Sequence, residues 1–171
     1  VCIFNAFSST GKMLQYDKQI LLISKVDLSE EGLKKIYHAI CEFQPRWMLL
    51  QPSMAMLLCE IMEKYLLPKI ESVVYIELTG EMCVYGTEKR LEDTFSCLIK
   101  KHYGTMEVSS IGYETDERNV YEILTATSVV EVLDEKGRPV EEGEIGKIYV
   151  TSLHNYAMPI VRYGTGDMGK L

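Results

Sequence analysis

The sequence predicts an α/β fold: a parallel sheet flanked by helices, followed by a small antiparallel β subdomain. Two features predict it. Between Trp47 and His102, short apolar runs alternate with segments of helical periodicity, the order expected when helices cover a parallel sheet. After about Arg118 the helical spacing stops, and short β-rich runs are separated by turn residues. On this reading, residues 1–117 form an α/β subdomain and residues 118–171 a β-rich one.

The first helix starts near Ser29. Asp27 and Ser29 can cap it, Glu30 and Glu31 suit the positive end of its dipole, and Leu33, Ile36, Tyr37 and Ile40 share one face. Pro45 stands just beyond its end. Trp47 to Leu50 reads as a buried strand. Pro52 then opens a second helix with an apolar face of Met54, Leu57, Leu58, Ile61, Met62 and Tyr65, a stripe that reads as core. Val73 to Leu78 is a strand ending in Thr79-Gly80-Glu81. A third helix runs from about Thr87 to Cys97, with Leu91, Phe95 and Leu98 on one side. Leu98 to His102 returns as a strand ending in Tyr103-Gly104. Right-handed crossovers place the ends of both strands on one edge, where open parallel sheets bind ligands. Gly80-Glu81 and Gly104 to Glu107 are therefore expected to face one crevice. Val120 to Leu124, Ser128 to Leu133 and Lys147 to Leu153 are the strands of the second part, with turns at Asp134 to Gly137 and Glu142 to Gly146.

Composition narrows the function classes. Of 171 residues, 47% are hydrophobic and 25% charged, the balance of a soluble globular protein with a sizeable core. A net charge of -7 makes nucleic acid and anionic membrane poor partners. No apolar run reaches the roughly 20 residues of a transmembrane helix. Cys2, Cys41, Cys59, Cys83 and Cys97 have no CxxC spacing, and read as buried, reduced thiols of a cytoplasmic protein rather than a zinc or disulfide framework. Ser8 to Lys12 ends in Gly-Lys, but Ala6 and Met13 stand where a phosphate loop needs Gly and Ser or Thr, so the segment reads as a surface turn.

Three segments together resemble the acyl-CoA synthetase (adenylate-forming, AMP-binding) superfamily, most closely its phenylacetate-CoA ligase and CapK-like branch. Tyr103-Gly104-Thr105-Met106-Glu107 is similar to the family's Tyr-Gly-x-Thr-Glu. Asp134 to Val140 with Gly143 to Thr151 resembles its hairpin and outgoing strand. Met158 to Asp167 resembles the stretch ending Arg-Tyr-Arg-Thr-Gly-Asp. Gln44-Pro45 and Gln51-Pro52-Ser53 sit where that branch has comparable residues.

The resemblance implies part of the N-terminal domain of an enzyme that joins a carboxylic acid to AMP and then to a thiol. It implies ATP or AMP, Mg²⁺ and coenzyme A as cofactors, and a small-molecule carboxylic acid as partner. Glu107 is then the Mg²⁺ ligand, a hard oxygen donor for a hard cation. Tyr103, Gly104 and Thr105 flank the nucleotide or acyl pocket, Thr79, Gly80 and Glu81 line the adenine face, and Asp167, in a loop after Pro159, accepts hydrogen bonds from the ribose hydroxyls. No catalytic residue is assigned within these 171 residues. Neither the family's phosphate loop nor its catalytic lysine is found, so the chain reads as an internal piece that does not catalyse alone. A CapK-like placement implies a link to capsular polysaccharide biosynthesis. Met106 stands where the family usually has Thr, Gly164 replaces an Arg or Lys, and Tyr113-Glu114 occupies the region of a frequent Cys. These departures point to the other reading, a non-catalytic nucleotide-binding or interaction module of the same fold.

Overall fold

The computed structural model describes residues 1–5 and 11–171. Of the expected surface turn, Ser8 to Thr10 lie outside the described residues, while Gly11 and Lys12 are exposed. The chain forms two compact units, Val1–Lys101 and His102–Leu171. The division falls after Lys101 rather than after residue 117, because the segment from His102 onward pairs with strands that follow it.

In the first unit, β1 (Cys2–Asn5), β2 (Leu14–Asp17), β3 (Ile20–Ser24), α1 (Glu30–Phe43), β4 (Trp47–Leu50), α2 (Pro52–Lys64), β5 (Tyr75–Leu78) and α3 (Thr87–Phe95) precede β6 (Leu98–Thr105). The strand order is β2-β3-β1-β4-β5-β6. From β3 to β6 the pairing is parallel, and β2 adds an antiparallel edge through a hairpin. The parallel sheet with helices is thus as expected.

Sequence punctuation sets the helices. Asp27 Oδ1 accepts from the amide and hydroxyl of Ser29 at 3.0 and 2.6 Å, and Ser29 Oγ accepts from Gly32 N at 3.2 Å. That relay satisfies amides that the helix itself cannot. Leu33, Ile36, Tyr37 and Ile40 of α1 are buried against one core with Met48, Leu50, Met54, Leu58, Ile61, Met62, Ile76, Leu78 and Leu91. Leu57 packs against this core while only partly buried, and two residues expected on apolar faces leave it: Tyr65 is exposed and donates to Glu30, and Leu98 is exposed at the start of β6, since α3 has already ended at Phe95. Val74 is likewise exposed, because the β5 ladder begins only at Tyr75.

In the second unit, His102–Thr105 of β6 pairs antiparallel with β7 (Ser109–Glu114), which pairs with β8 (Tyr121–Ile123). A three-stranded antiparallel sheet follows in the order β11 (Tyr163–Gly169), β10 (Gly146–Ser152), β9 (Ser128–Leu133). Val108, Ile111 and Val150 form its buried cluster, with Tyr103, Ile123, Val130, Ile148 and Ile160 packed around them. Both expected turns are present. Asp134 Oδ1 accepts from the amides of Lys136 and Arg138, and Glu144 N donates to Glu141 O at 3.0 Å.

Two expectations are corrected here. Tyr103-Gly104 does not end the strand: β6 runs to Thr105, because β7 supplies a partner for it. Asp167 lies in β11 rather than a loop, because β10 pairs with that glycine-rich stretch. Cys2 and Cys59 are buried, whereas Cys41, Cys83 and Cys97 are only partly so, and no disulfide forms among the described residues. No helix of the described residues is long and apolar enough to cross a membrane.

Candidate nucleotide site

In the second unit, a tyrosine–carboxylate pair forms between motif residues far apart in the chain. Tyr103 leaves β6 at a bulge, with its ring packed against the Val108–Ile111–Val150 cluster and edge-on to Tyr121, centroids 6.3 Å apart. Its hydroxyl donates to Asp167 Oδ2 at 2.7 Å and also lies 3.2 Å from Thr165 Oγ1. Gly166, with φ +87°, turns the backbone so that Thr165 and Asp167 reach the same hydroxyl, a conformation that costs glycine little. Thr165 is held in turn, donating to Ile148 O at 3.2 Å and accepting from Asp167 N at 3.1 Å. Burial pushes the Tyr103 phenol up to about 12, with the Asp167 carboxylate adding to the rise, so the donor keeps its proton at neutral pH.

Glu107 occupies the exposed turn between β6 and β7. The Tyr163 hydroxyl first, then the residue's own amide and the Thr105 hydroxyl, hold its carboxyl below the usual range. The Glu107 carboxylate in turn raises the Tyr163 phenol. Thr105 also accepts from Val108 N at 3.2 Å, which shapes the turn that presents Glu107. Gly104 is sterically required: a Cβ there would lie 2.5 Å from Ser109 O. Met106, in place of the family threonine, is 98% exposed and offers no hydroxyl. Gly164 has its own reason, since a Cβ there would press on the Tyr149 ring at 3.3 Å.

The chemistry of these donors fits the groups the family resemblance implies. Mg²⁺ on a nucleotide is typically held by one or two carboxylates, phosphate oxygens and water. One ionised, oriented carboxylate at Glu107 suits that arrangement. No group of three or more His, Cys, Asp or Glu gathers among the described residues, so the chain shows no all-protein cage there. Asp167 is exposed and can offer its carboxylate to a diol.

In the first unit, Thr79-Gly80-Glu81 follows β5. Thr79 N donates to Leu50 O at 3.1 Å, tying the segment to the end of β4. Gly80 is exposed. Glu81 Oε2 accepts from Ser53 N at 3.2 Å and so caps α2, whose own N-cap residue Gln51 makes no side-chain cap bond. Glu81 also borders a cleft of about 470 Å³ between the starts of α2 and α3, with Pro52, Met56, Val84, Tyr85 and Arg90 among its walls.

Sequence reasoning named Tyr103, Thr105, Glu107 and Asp167 but did not join them, and it missed Tyr163 and Thr165. Both belong to the Met158 to Asp167 motif, but the ladder to β10 skips Thr165 to Asp167 and Gly166 has a positive φ, so no strand periodicity marks them.

Comparison with known proteins places the chain. The family model for AMP-binding enzymes matches residues 15–157. A phenylacetate-coenzyme A ligase of Thermus thermophilus is 30% identical over 134 residues, covering 75% of this chain and 30% of that protein. The phenylacetate-coenzyme A ligase of Escherichia coli K12 is 26% identical over 169 residues, 94% of this chain and 38% of that one. The chain therefore spans about a third of the length of these relatives. A crystal structure of 2-hydroxyisobutyryl-CoA ligase, in the postadenylation state with 2-HIB-AMP, superposes with a TM-score of 0.74 at 19% identity, over 87% of this chain and 33% of that one. A benzoate CoA ligase from Burkholderia xenovorans LB400 gives 0.64 at 17%, over 86% and 32%. These likenesses establish the fold, and the family match over most of the sequence establishes the kinship: this chain belongs to the AMP-binding enzyme family, the adenylate-forming superfamily.

Proposed function

We propose that the protein carrying this chain is an ATP-dependent carboxylate–CoA ligase, which forms an acyl-adenylate and then a thioester. The observation that carries the reading is the bond of Tyr103 to Asp167, which orders one of the two acidic residues that the family resemblance gives to ribose and Mg²⁺. Asp167 takes the ribose hydroxyls, Glu107 the metal, and Thr79 to Glu81 the adenine face, with Tyr103, Gly104 and Thr105 flanking the nucleotide. Mg²⁺ and polar donors supply the stabilisation that attack on the α-phosphate needs.

The relatives' names favour an aromatic acid such as phenylacetate as the acyl group. A tie to capsular polysaccharide biosynthesis and a cytoplasmic location rest on sequence resemblance and composition alone. The 171 residues alone are proposed to bind nucleotide without completing turnover, since the chain spans about a third of its relatives.

The test is ATP–pyrophosphate exchange by the protein that carries this chain, against a panel of aryl and fatty acids. Acid-dependent exchange is expected, with Glu107→Gln and Asp167→Ala each cutting it tenfold or more, about 1.4 kcal/mol of transition-state stabilisation. A folded protein that binds AMP yet shows no exchange with any acid would establish the second reading, a non-catalytic nucleotide-binding module. Met106 and Gly164, which replace a family hydroxyl and a family cation, favour that reading.

A further inference from the structure

We propose that Tyr103 is a gate on the ribose-binding carboxylate: in the unliganded chain its hydroxyl holds the Asp167 oxygen that a nucleotide ribose requires, and AMP binds by displacing it. The inference rests on the reading of Asp167 as the ribose carboxylate and adds a residue that regulates access to it.

The geometry is that of a bound hydroxyl. A phenol O–H at 2.7 Å from Asp167 Oδ2 is a charge-assisted bond, the same type a sugar hydroxyl makes to a carboxylate. Thr165 stands 3.2 Å from the phenol oxygen and is itself bonded to Ile148 O and to the Asp167 amide, so the hydroxyl sits in a built polar niche. The ring that delivers it belongs to the packed cluster of the second unit and meets Tyr121 edge-on. It is not a loose surface side chain.

The consequence is competition for one oxygen. A cis-diol that engages both carboxylate oxygens contends with Tyr103 at Oδ2, whereas a lone hydroxyl can use Oδ1 and leave the tyrosine in place. Nucleotide affinity is therefore lowered by the bond that must be given up, and a ribonucleotide feels this more than a deoxyribonucleotide. The opened phenol is then available to pack on the ligand.

The test follows AMP and 2′-deoxy-AMP binding by NMR on the chain labelled at the tyrosine ¹³Cζ, in the wild type, Tyr103→Phe and Asp167→Ala. Tyr103→Phe keeps the ring and removes only the hydroxyl, and the missing signal assigns Tyr103. AMP is expected to move the wild-type Tyr103 signal to the position it has in unliganded Asp167→Ala. Tyr103→Phe is expected to bind AMP about fivefold more tightly, the factor of roughly one net hydrogen bond, with 2′-deoxy-AMP unchanged. A Tyr103 signal that stays put at saturating AMP, or a Tyr103→Phe variant that binds AMP equally or less well, would overturn the gate and leave the nucleotide reading intact. Absence of AMP binding in both wild type and Tyr103→Phe would overturn the nucleotide reading and the gate with it.

Discussion

The Tyr103 hydroxyl lies 2.7 Å from Asp167 Oδ2, joining residues 64 positions apart in sequence. The bond has a signature at alkaline pH. Burial first, and the carboxylate after it, pushes the phenol up to about 12 from an ordinary value near 10. A raised folded-state value means that the stability tied to the protonated phenol is fully present below about pH 10 and is lost as pH rises toward 12. Tyr37, buried and donating to Pro68 O at 2.8 Å, is also pushed up to about 12. Tyrosinate absorbance is therefore expected to show late-titrating groups, Tyr37 and Tyr103 among them. Tyr103→Phe should delete one of them, and Asp167→Asn should move it to lower pH. A Tyr103 titration that Asp167→Asn leaves unchanged would show that the pair does not form.

Glu107 gives the matching signature at acid pH. The Tyr163 hydroxyl, the Glu107 amide and Thr105 together depress its carboxyl. A depressed value means that the associated stability is present above the unfolded carboxyl pKa and is lost as pH falls through the lower folded one. By ¹³C NMR, Glu107 is expected to titrate below the ordinary carboxyl range. Tyr163→Phe should shift it upward, and Mg²⁺-induced chemical-shift changes at Glu107 should then begin at a higher pH. An unchanged Glu107 titration in Tyr163→Phe would remove Tyr163 from the site.

Glu81 separates a structural role from a binding one. Its Oε2 caps α2 through Ser53 N at 3.2 Å, where Gln51 supplies no side-chain cap. Glu81→Ala is expected to lower stability by about 1 kcal/mol, the usual cost of a lost cap, and Glu81→Gln by less, because an amide oxygen still accepts. Hydrogen exchange at the Ser53 amide should rise in the Ala variant. If Ser53 protection is unchanged while AMP affinity drops, the side chain serves the nucleotide and not the helix.

How much of this was legible in the sequence follows local rules. Ser29 and Pro52 marked α1 and α2 because capping and N1 chemistry are local. β7 and β11 were not legible. Ser109, Ser110 and Gly112 in one, and Gly164, Gly166 and Gly169 in the other, are poor strand formers, and only the ladders to β6 and β10 make them strands. The site divides the same way. Glu107 and Asp167 were named through motif resemblance, whereas the Tyr103–Asp167 bond links positions that no periodicity relates. Glu81 is expected from the sequence at the adenine face, and its cap on a helix 28 positions earlier follows from the fold alone.

The Lys101–Glu88 pair closes the first unit where β6 leaves it. Nζ and Oε1 are 2.6 Å apart, with side chains only 8% and 15% exposed. Exposed ion pairs contribute little, but a buried pair is costly to break one-sidedly, because a charge is then left in a low-dielectric setting. Lys101 pairs in register with Leu78, so its stem lies beside the strand that leads into Thr79 to Glu81. A double-mutant cycle on Glu88→Ala and Lys101→Ala, read by urea unfolding, is expected to give a coupling energy of about 1–3 kcal/mol, at the upper end of neighbouring pairs. Lys101→Met combined with Glu88→Leu, apolar and of similar size, should recover most of the stability lost by either single change. A coupling below about 0.5 kcal/mol would place this pair with the surface bridges, such as Lys89–Asp93 on the exposed side of α3.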